Sequence, residues 1–229
     1  MKLGMVIDLE RCIGCRSCTV ACKEHNSQPP GTWWNRVFTP GSSWHQGAVG
    51  KNGRLQMYFL PVSCQMCENP PCQKVCPVKA TYTDDRGVVL VDYERCIGCR
   101  YCISACPYGV RQFNWEDPKK AKERTGCMKG YDYGYPFDHR DKDGRLVYTP
   151  DRPKGVVEKC TFCAQYTDGK KQLPACVRAC PSKARVLGDL DDPNSEVSRL
   201  VSERQTYRLL EDLGTSPKVF YIAPTKPQR

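Results

Sequence analysis

Apolar residues in this chain come in short runs separated by long polar stretches. Met5-Val6-Ile7, Arg54 to Leu60, Ala80-Thr81-Tyr82, Gly87 to Val91, Val110 to Phe113, Ala184 to Leu187 and Pro217 to Ile222 read as short strands. The third and fourth of these flank the turn Asp84-Asp85-Arg86, which predicts a β-hairpin. Asp191-Asp192-Pro193-Asn194-Ser195 supplies a turn and an N-cap, so a helix is expected next, with Val197, Leu200 and Val201 on one face. No apolar run approaches the roughly 18 residues that a membrane span requires. Residues 23–53, rich in Gly, Pro, Ser and Trp (Trp33, Trp34, Trp44), and residues 115–155, rich in charge, Gly and Tyr (Tyr131, Tyr133, Tyr135), read as insertions. Loops of this length either present contact surfaces to a partner or fold over the chain's own interior.

The cysteines change this picture. Sixteen of the seventeen fall into four groups: Cys12, Cys15, Cys18, Cys22; Cys64, Cys67, Cys72, Cys76; Cys96, Cys99, Cys102, Cys106; and Cys160, Cys163, Cys176, Cys180. Each group ends in Cys-x3-Cys, and in the last three a proline follows. Cys-x2-Cys-x2-Cys-x3-Cys-Pro is the ligand run of bacterial ferredoxins, in which three thiolates take corners of one iron–sulfur cube and the fourth ligates a neighbouring cube. Proline then ends the local helix and turns the chain away. Groups are therefore expected to work in pairs, each lending one ligand, and four [4Fe–4S] clusters are the expected cofactors. Zinc sites also use paired Cys-x2-Cys elements, but at a longer separation and without a third cysteine at x2 or a fourth before proline. Disulfides are the other alternative; the near-identity of residues 10–16 and 94–100 suits a duplicated metal loop better.

Charge needs the clusters in its accounting. The formal +10 would point to nucleic acid or an anionic membrane, but four oxidised cubes at about −2 each leave about +2. Arg11, Arg16, Lys23, Arg95, Arg100 and Arg111 stand beside ligands, where positive charge raises a reduction potential, or else are solvated surface residues. His25, His45 and His139 are isolated, and Cys127 belongs to no group. No nucleotide-binding loop or nucleophilic triad is present in the sequence, so no catalysis is expected of this chain by itself. Met1-Lys2-Leu3-Gly4 leads directly into the first strand, so any export is expected to depend on another chain.

Four such groups in this order, with Asn69-Pro70-Pro71-Cys72, Lys159-Cys160-Thr161-Phe162-Cys163, Gly188-Asp189-Leu190-Asp191-Asp192-Pro193 and the tail from Leu213 to Tyr221, resemble the iron–sulfur subunit of the dimethyl sulfoxide reductase family of molybdenum enzymes. Lys2 to Asp8 and Gly188 to Ser195 are similar to the small subunits of respiratory arsenate reductases in particular. The resemblance implies an α+β fold of two tandem ferredoxin-like modules with short antiparallel strands and helices. It pairs group one with group four and group two with group three. Carried over by position, the ligand sets are Cys12, Cys15, Cys18 with Cys180; Cys160, Cys163, Cys176 with Cys22; Cys64, Cys67, Cys72 with Cys106; and Cys96, Cys99, Cys102 with Cys76. The implied organisation is residues 1–60 with 151–195 as an outer module, 61–118 as an inner module, 119–150 as an insertion loop and 196–229 as a C-terminal helix and docking tail. The third group is complete, where some relatives replace one cysteine and hold a three-iron cluster.

The implied function is a relay of single electrons between a partner subunit carrying molybdenum or tungsten bis-pterin and a quinol-linked membrane anchor. The expected location is the periplasmic side, reached by export with the catalytic subunit, with the cytoplasm as the alternative. Two rivals stand beside this: a free-standing polyferredoxin, and a zinc-stabilised nucleic-acid module suggested by the charge.

Overall fold

The strand Leu3–Asp8 is buried along its whole length and organises the molecule. In this computed structural model, which describes residues 1–39, 49–51, 54–57, 59–117, 120, 136–168 and 172–224, it has partners on both edges. Arg185–Asp189 pairs with it antiparallel, Leu3 opposite Asp189 and Ile7 opposite Arg185. Val219–Ile222 pairs with it in parallel, Met5 opposite Val219, and Thr206–Tyr207 closes the four-stranded sheet against Val219–Ile222. Strand alternation divides its side chains. Leu3, Met5 and Ile7 join the main core that contains the cysteines, while Val6 packs with Val197 and Ile222 on the other face.

Val197 comes from the helix Glu196–Glu203, which begins where the sequence placed it. Ser195 caps it, its hydroxyl accepting from the Ser198 amide at 3.1 Å. The hairpin is also present, as Thr81–Thr83 against Val89–Val91, and the Asp84 carboxylate accepts from the Arg86 and Val88 amides across its turn.

Three expectations change. The strand expected over 54–60 is two strands with different partners: Arg54–Gln56 folds back on Val49–Lys51, and Leu60–Val62 pairs with Arg36–Phe38. Pro61, lacking an N–H, is tolerated there because each ribbon is only two strands wide. The strand expected over Val110 to Phe113 shrinks to Gln112–Phe113, paired with Val157–Glu158. The docking tail is in large part internal. Val219, Tyr221 and Ile222 are buried, and the Tyr221 hydroxyl donates to the Pro61 carbonyl and accepts from Gln65. The tail thereby fastens the second cysteine group and loses its force as a sign of a partner.

Stretches of both insertions fold inward. Asn26, Ser27, Gln28, Trp34 and Asn35 are buried, as are Leu146, Val147 and Tyr148 of the hairpin formed with His139–Arg140. Arg152 of the second insertion forms a fully buried ion pair with Glu158 just beyond it. Arg152 also donates to the carbonyls of Ser27 and Thr149 and stacks over Trp34. Trp44, His45, Cys127, Tyr131, Tyr133 and Tyr135 lie outside the described residues.

Candidate functional site

Each cysteine group opens with the same left-handed turn. The residue before the second cysteine has positive φ in all four: Gly14 at 70°, Met66 at 48°, Gly98 at 67° and Phe162 at 51°. That bend lets thiols three positions apart converge. Glycine is demanded in two of the loops by space as well as by φ, since a Cβ on Gly98 would lie 1.8 Å from the Gly155 carbonyl oxygen and one on Gly14 would lie 2.4 Å from the Phe59 ring. Met66 and Phe162 bear a backbone cost of about 1–2 kcal/mol, offset by side chains fully buried in the core.

The third cysteine of each group then stands on a helix: Cys18 on Ser17–His25, Cys72 on Pro71–Lys74, Cys102 on Tyr101–Ser104 and Cys176 on Ala175–Arg178. The fourth follows one turn later. A four-residue step advances about 6 Å along a helix, enough to carry the fourth thiol into a neighbouring cavity. In the inner half this division is direct. One cavity is lined by Cys64, Cys67, Cys72 and Cys106, the other by Cys76, Cys96, Cys99 and Cys102. In the outer half the helices bearing Cys18 and Cys176 pack together. Cys22 has Cys160, Cys163 and Cys176 as its charged neighbours, and Cys12 has Cys18 and Cys180. The Asn26 amide reaches both the Cys22 and Cys163 sulfurs, at 3.7 and 3.8 Å.

Proline shapes the exits. After Cys76, Cys106 and Cys180 the short helix stops, and Lys79, Gly109 and Lys183 take left-handed conformations. The following amide is thereby aimed at sulfur: Ala80 donates to Cys76 at 3.2 Å and Ala184 to Cys180 at 3.3 Å, and the Val110 amide does the same for Cys106. Group one has Lys23 where the others have proline, so its helix runs on to His25. There a side chain does the backbone's work, Gln28 Nε2 donating to Cys22 at 3.3 Å.

The donor chemistry fits iron–sulfur cubes. Burial pushes the thiols of Cys22 and Cys160 well up, Cys163 to about 12 and Cys67 to about 11, with neighbouring thiolates adding to the effect. Thiols so packed ionise together only when positive metal shares the cavity. Cys15, at the surface, differs: hydrogen bonds from Ser17 hold it below the ordinary value. No disulfide joins any of the described cysteines.

Exposure is graded across the four sets. Cys15 and Cys99 reach solvent, while Cys22, Cys160, Cys163 and Cys176 are all buried, as are Cys64, Cys67 and Cys72. Cys160 and Cys64 are close neighbours, which brings the set of Cys22, Cys160, Cys163 and Cys176 beside that of Cys64, Cys67, Cys72 and Cys106. Ile13 and Val20 are exposed near Cys15, and Ile97, Tyr101 and Trp115 near Cys99.

The basic residues divide between the two readings the sequence left open. Arg11, Arg16, Arg95 and Arg100 are at the surface, Arg11 paired with Asp8 and Arg100 stacked over Phe113 and Trp115. Lys23 donates to the carbonyls of Pro29 and Thr32. Arg111 alone of the six is buried. Sequence reasoning missed Lys159, whose ammonium is held by the carbonyls of Val89 and Cys160, and Arg185, buried among the outer cysteines. Arg185 stands five residues after Cys180 as Arg111 does after Cys106, a signal that was available in the repeat. His25 packs on Tyr166 and His139 lies 3.2 Å from Asp168, neither against a cysteine cavity.

Comparison with known proteins agrees with this geometry. Two family models, each described as a 4Fe-4S dicluster domain, match residues 11–80 and 55–138. A candidate dimethyl sulfoxide reductase iron–sulfur subunit of Halobacterium salinarum is 46% identical over 227 residues, covering 96% of this chain and 78% of that protein. The arsenate respiratory reductase iron–sulfur subunit of Shewanella sp. (strain ANA-3) is 39% identical over 240 residues, covering 97% and 96%. A polysulfide reductase polypeptide of Wolinella succinogenes is 34% identical over 226 residues, covering 98% and 95%.

Proposed function

This chain belongs to the iron–sulfur electron-transfer subunits of the dimethyl sulfoxide reductase family of molybdopterin oxidoreductases, and from that membership we propose that it carries four [4Fe–4S] clusters in a row between two partners. The proposed ligand sets, in spatial order, are Cys12, Cys15, Cys18, Cys180; then Cys22, Cys160, Cys163, Cys176; then Cys64, Cys67, Cys72, Cys106; then Cys76, Cys96, Cys99, Cys102. Such clusters supply one-electron chemistry at a potential set by hydrogen bonds to sulfur, nearby charge and solvent access. The chain's residues do the rest: thiols hold, the amides of Ala80, Ala184 and Gln28 donate to sulfur, and the apolar core shields the sets of Cys22, Cys160, Cys163, Cys176 and of Cys64, Cys67, Cys72 from water.

The observation that carries this reading is the gradient of exposure. Two thiol sets reach the surface at Cys15 and Cys99, whereas of the other two one is wholly buried and one is buried except for the half-buried Cys106. A store of charge needs no such order, whereas a relay needs two accessible ends and an insulated middle. We assign the ends to a large catalytic subunit bearing molybdenum or tungsten bis-pterin and to a quinone-linked membrane anchor, and place the assembly on the periplasmic side, exported with the catalytic subunit. No described helix is long and apolar enough to cross a membrane, so the anchoring is assigned to a partner.

Anaerobic purification of the native complex tests the proposal. The expected result is a co-purifying large chain with molybdenum or tungsten and about sixteen irons for this chain, four per cube. A lone species of 26.0 kDa would mark a free-standing carrier instead, and zinc without acid-labile sulfide would reject the clusters. Protease protection of intact cells separates the periplasmic from the cytoplasmic location.

A further inference from the structure

Arg111 and Arg185 are each only 4% exposed, and among the described residues neither guanidinium has a carboxylate partner. Apart from cysteine sulfurs, their hydrogen bonds go to neutral atoms: Arg111 to the Thr81 hydroxyl at 3.2 Å, Arg185 to the Asn35 side-chain oxygen at 2.9 Å and to the Met5 sulfur at 3.7 Å. Arg111 Nη2 is buried without a hydrogen-bond partner. A buried charge left uncompensated costs several kcal/mol, so each guanidinium requires an anion nearby.

The surroundings supply one kind of anion. Arg111 lines both inner cavities, the one walled by Cys64, Cys67, Cys72 and Cys106 and the one walled by Cys76, Cys96, Cys99 and Cys102. Its cysteine neighbours are Cys72, Cys102 and Cys64, which come from both sets and whose thiolates would carry the charge of bound clusters. Arg185 stands likewise in the outer half. Its cysteine neighbours include Cys176 and Cys22 of one set and Cys18 of the other, and Cys12 lies near it as well. Both arginines hold the same place in the repeat, five residues after a Cys-Pro exit whose neighbouring amide bonds the cysteine sulfur. The corresponding positions after Cys22 and Cys76 are Ser27 and Thr81. Each half of the molecule therefore contains one such arginine, and Thr81 is the residue to which Arg111 donates.

We propose that Arg111 and Arg185 are shared counter-cations, one for each two-cluster module, which raise the reduction potentials of both clusters in their own module and so set the potentials in pairs. The proposal rests on the cluster assignment above. Each one-electron reduction adds a negative charge between fixed protein dipoles, and a guanidinium placed between two clusters stabilises that added charge on either of them. A surface cation such as Arg16 or Arg95 acts through water and is screened.

The test is an anaerobic potentiometric titration of the native complex, followed by electron paramagnetic resonance, for wild type, R111Q, R185Q and the two Arg→Lys variants. Iron is counted first: fewer than about sixteen per wild-type chain rejects the cluster assignment and is a separate failure. With full loading, R111Q is expected to shift two of the four midpoint potentials negative, R185Q the other two, and each lysine variant to stay near wild type. Disjoint pairs are the signature, and they need no prior assignment of signals. The proposal is overturned if either variant moves one potential or none, if both move the same pair, or if lysine shifts potentials as far as glutamine. Should a glutamine variant lose its clusters, its lysine counterpart decides: restored loading with wild-type potentials supports the proposal, and lost loading shows that shape rather than charge is what the site needs.

Discussion

Gly98→Ala is the substitution for which the structure gives the sharpest expectation. A left-handed φ of 67° costs a residue with a Cβ about 1–2 kcal/mol. The new methyl group would also sit 1.8 Å from the Gly155 carbonyl oxygen, an atom with no flexible side chain to swing aside. Restoring a 3.0 Å contact moves backbone by about 1.2 Å, the difference of the two distances, and overpacking of this kind costs about 1–3 kcal/mol more. Gly109→Ala is the internal control. Its φ of 61° is equally left-handed but nothing lies within 4 Å of its added Cβ, so only the backbone cost of about 1–2 kcal/mol remains. The displaced loop in Gly98→Ala holds Cys96 and Cys99, so the loss should be local: about four of about sixteen irons, with a lower anaerobic melting midpoint followed by cluster absorbance. Gly109→Ala should keep its full iron. If the two variants melt together and both retain full iron, the reasoning from the Gly98–Gly155 contact is wrong.

Breaking the fully buried Arg152–Glu158 pair by E158Q should cost about 3–5 kcal/mol, measured by anaerobic thermal unfolding, while replacing both partners with apolar residues of similar size should recover most of that loss. Ser195→Ala removes the cap of the helix Glu196–Glu203 and should cost about 1 kcal/mol with no change in iron content. The hydrogen bond from Lys2 holds the Glu68 carboxyl below its ordinary value. Its contribution is therefore complete above the unfolded carboxylate value of about 4.3 and fades as pH falls through the depressed folded value. Both side chains are more than two-fifths exposed, so the total should stay under about 1 kcal/mol, read as a stability difference between wild type and E68Q that is present at about pH 6 and shrinks as the pH is lowered through the acidic range. Removing iron with a chelator under reducing conditions should collapse the near-ultraviolet circular dichroism, because cysteines that line the cavities are also part of the main hydrophobic core; retained native signals in the iron-free chain would show that the core holds without its cofactors.

Local pattern carried some elements well. The capped helix after Ser195, the hairpin about Asp84 and the strand at Met5 to Ile7 were legible because their determinants, a cap, an Asx turn and a short apolar run, lie within a few residues of one another. The strand expected over 54–60 failed for the converse reason: its two halves pair with Val49–Lys51 and Arg36–Phe38, and an apolar run does not say which partner each half will find. The tail looked like a docking element because Phe220-Tyr221-Ile222 is apolar, yet its place is an inner strand beside Leu3–Asp8. Of the cations beside cysteines in sequence, Arg11, Arg16, Arg95 and Arg100 are solvated and Arg111 is buried, whereas Arg185, absent from the sequence reading, is also inside.

The amino-acid order by itself determined the ligand spacing, the left-handed glycines and the proline exits, since these are settled by bond lengths and steric limits over a few consecutive residues. Which group lies beside which, which thiols meet water and which arginines stand among them were decided only when distant stretches closed on each other: Leu3–Asp8 between Arg185–Asp189 and Val219–Ile222, and the insertions joined where Arg152 reaches Ser27 and Trp34. Burial is a property of that closure, because a side chain is removed from water by whatever the rest of the chain brings over it and not by its sequence neighbours.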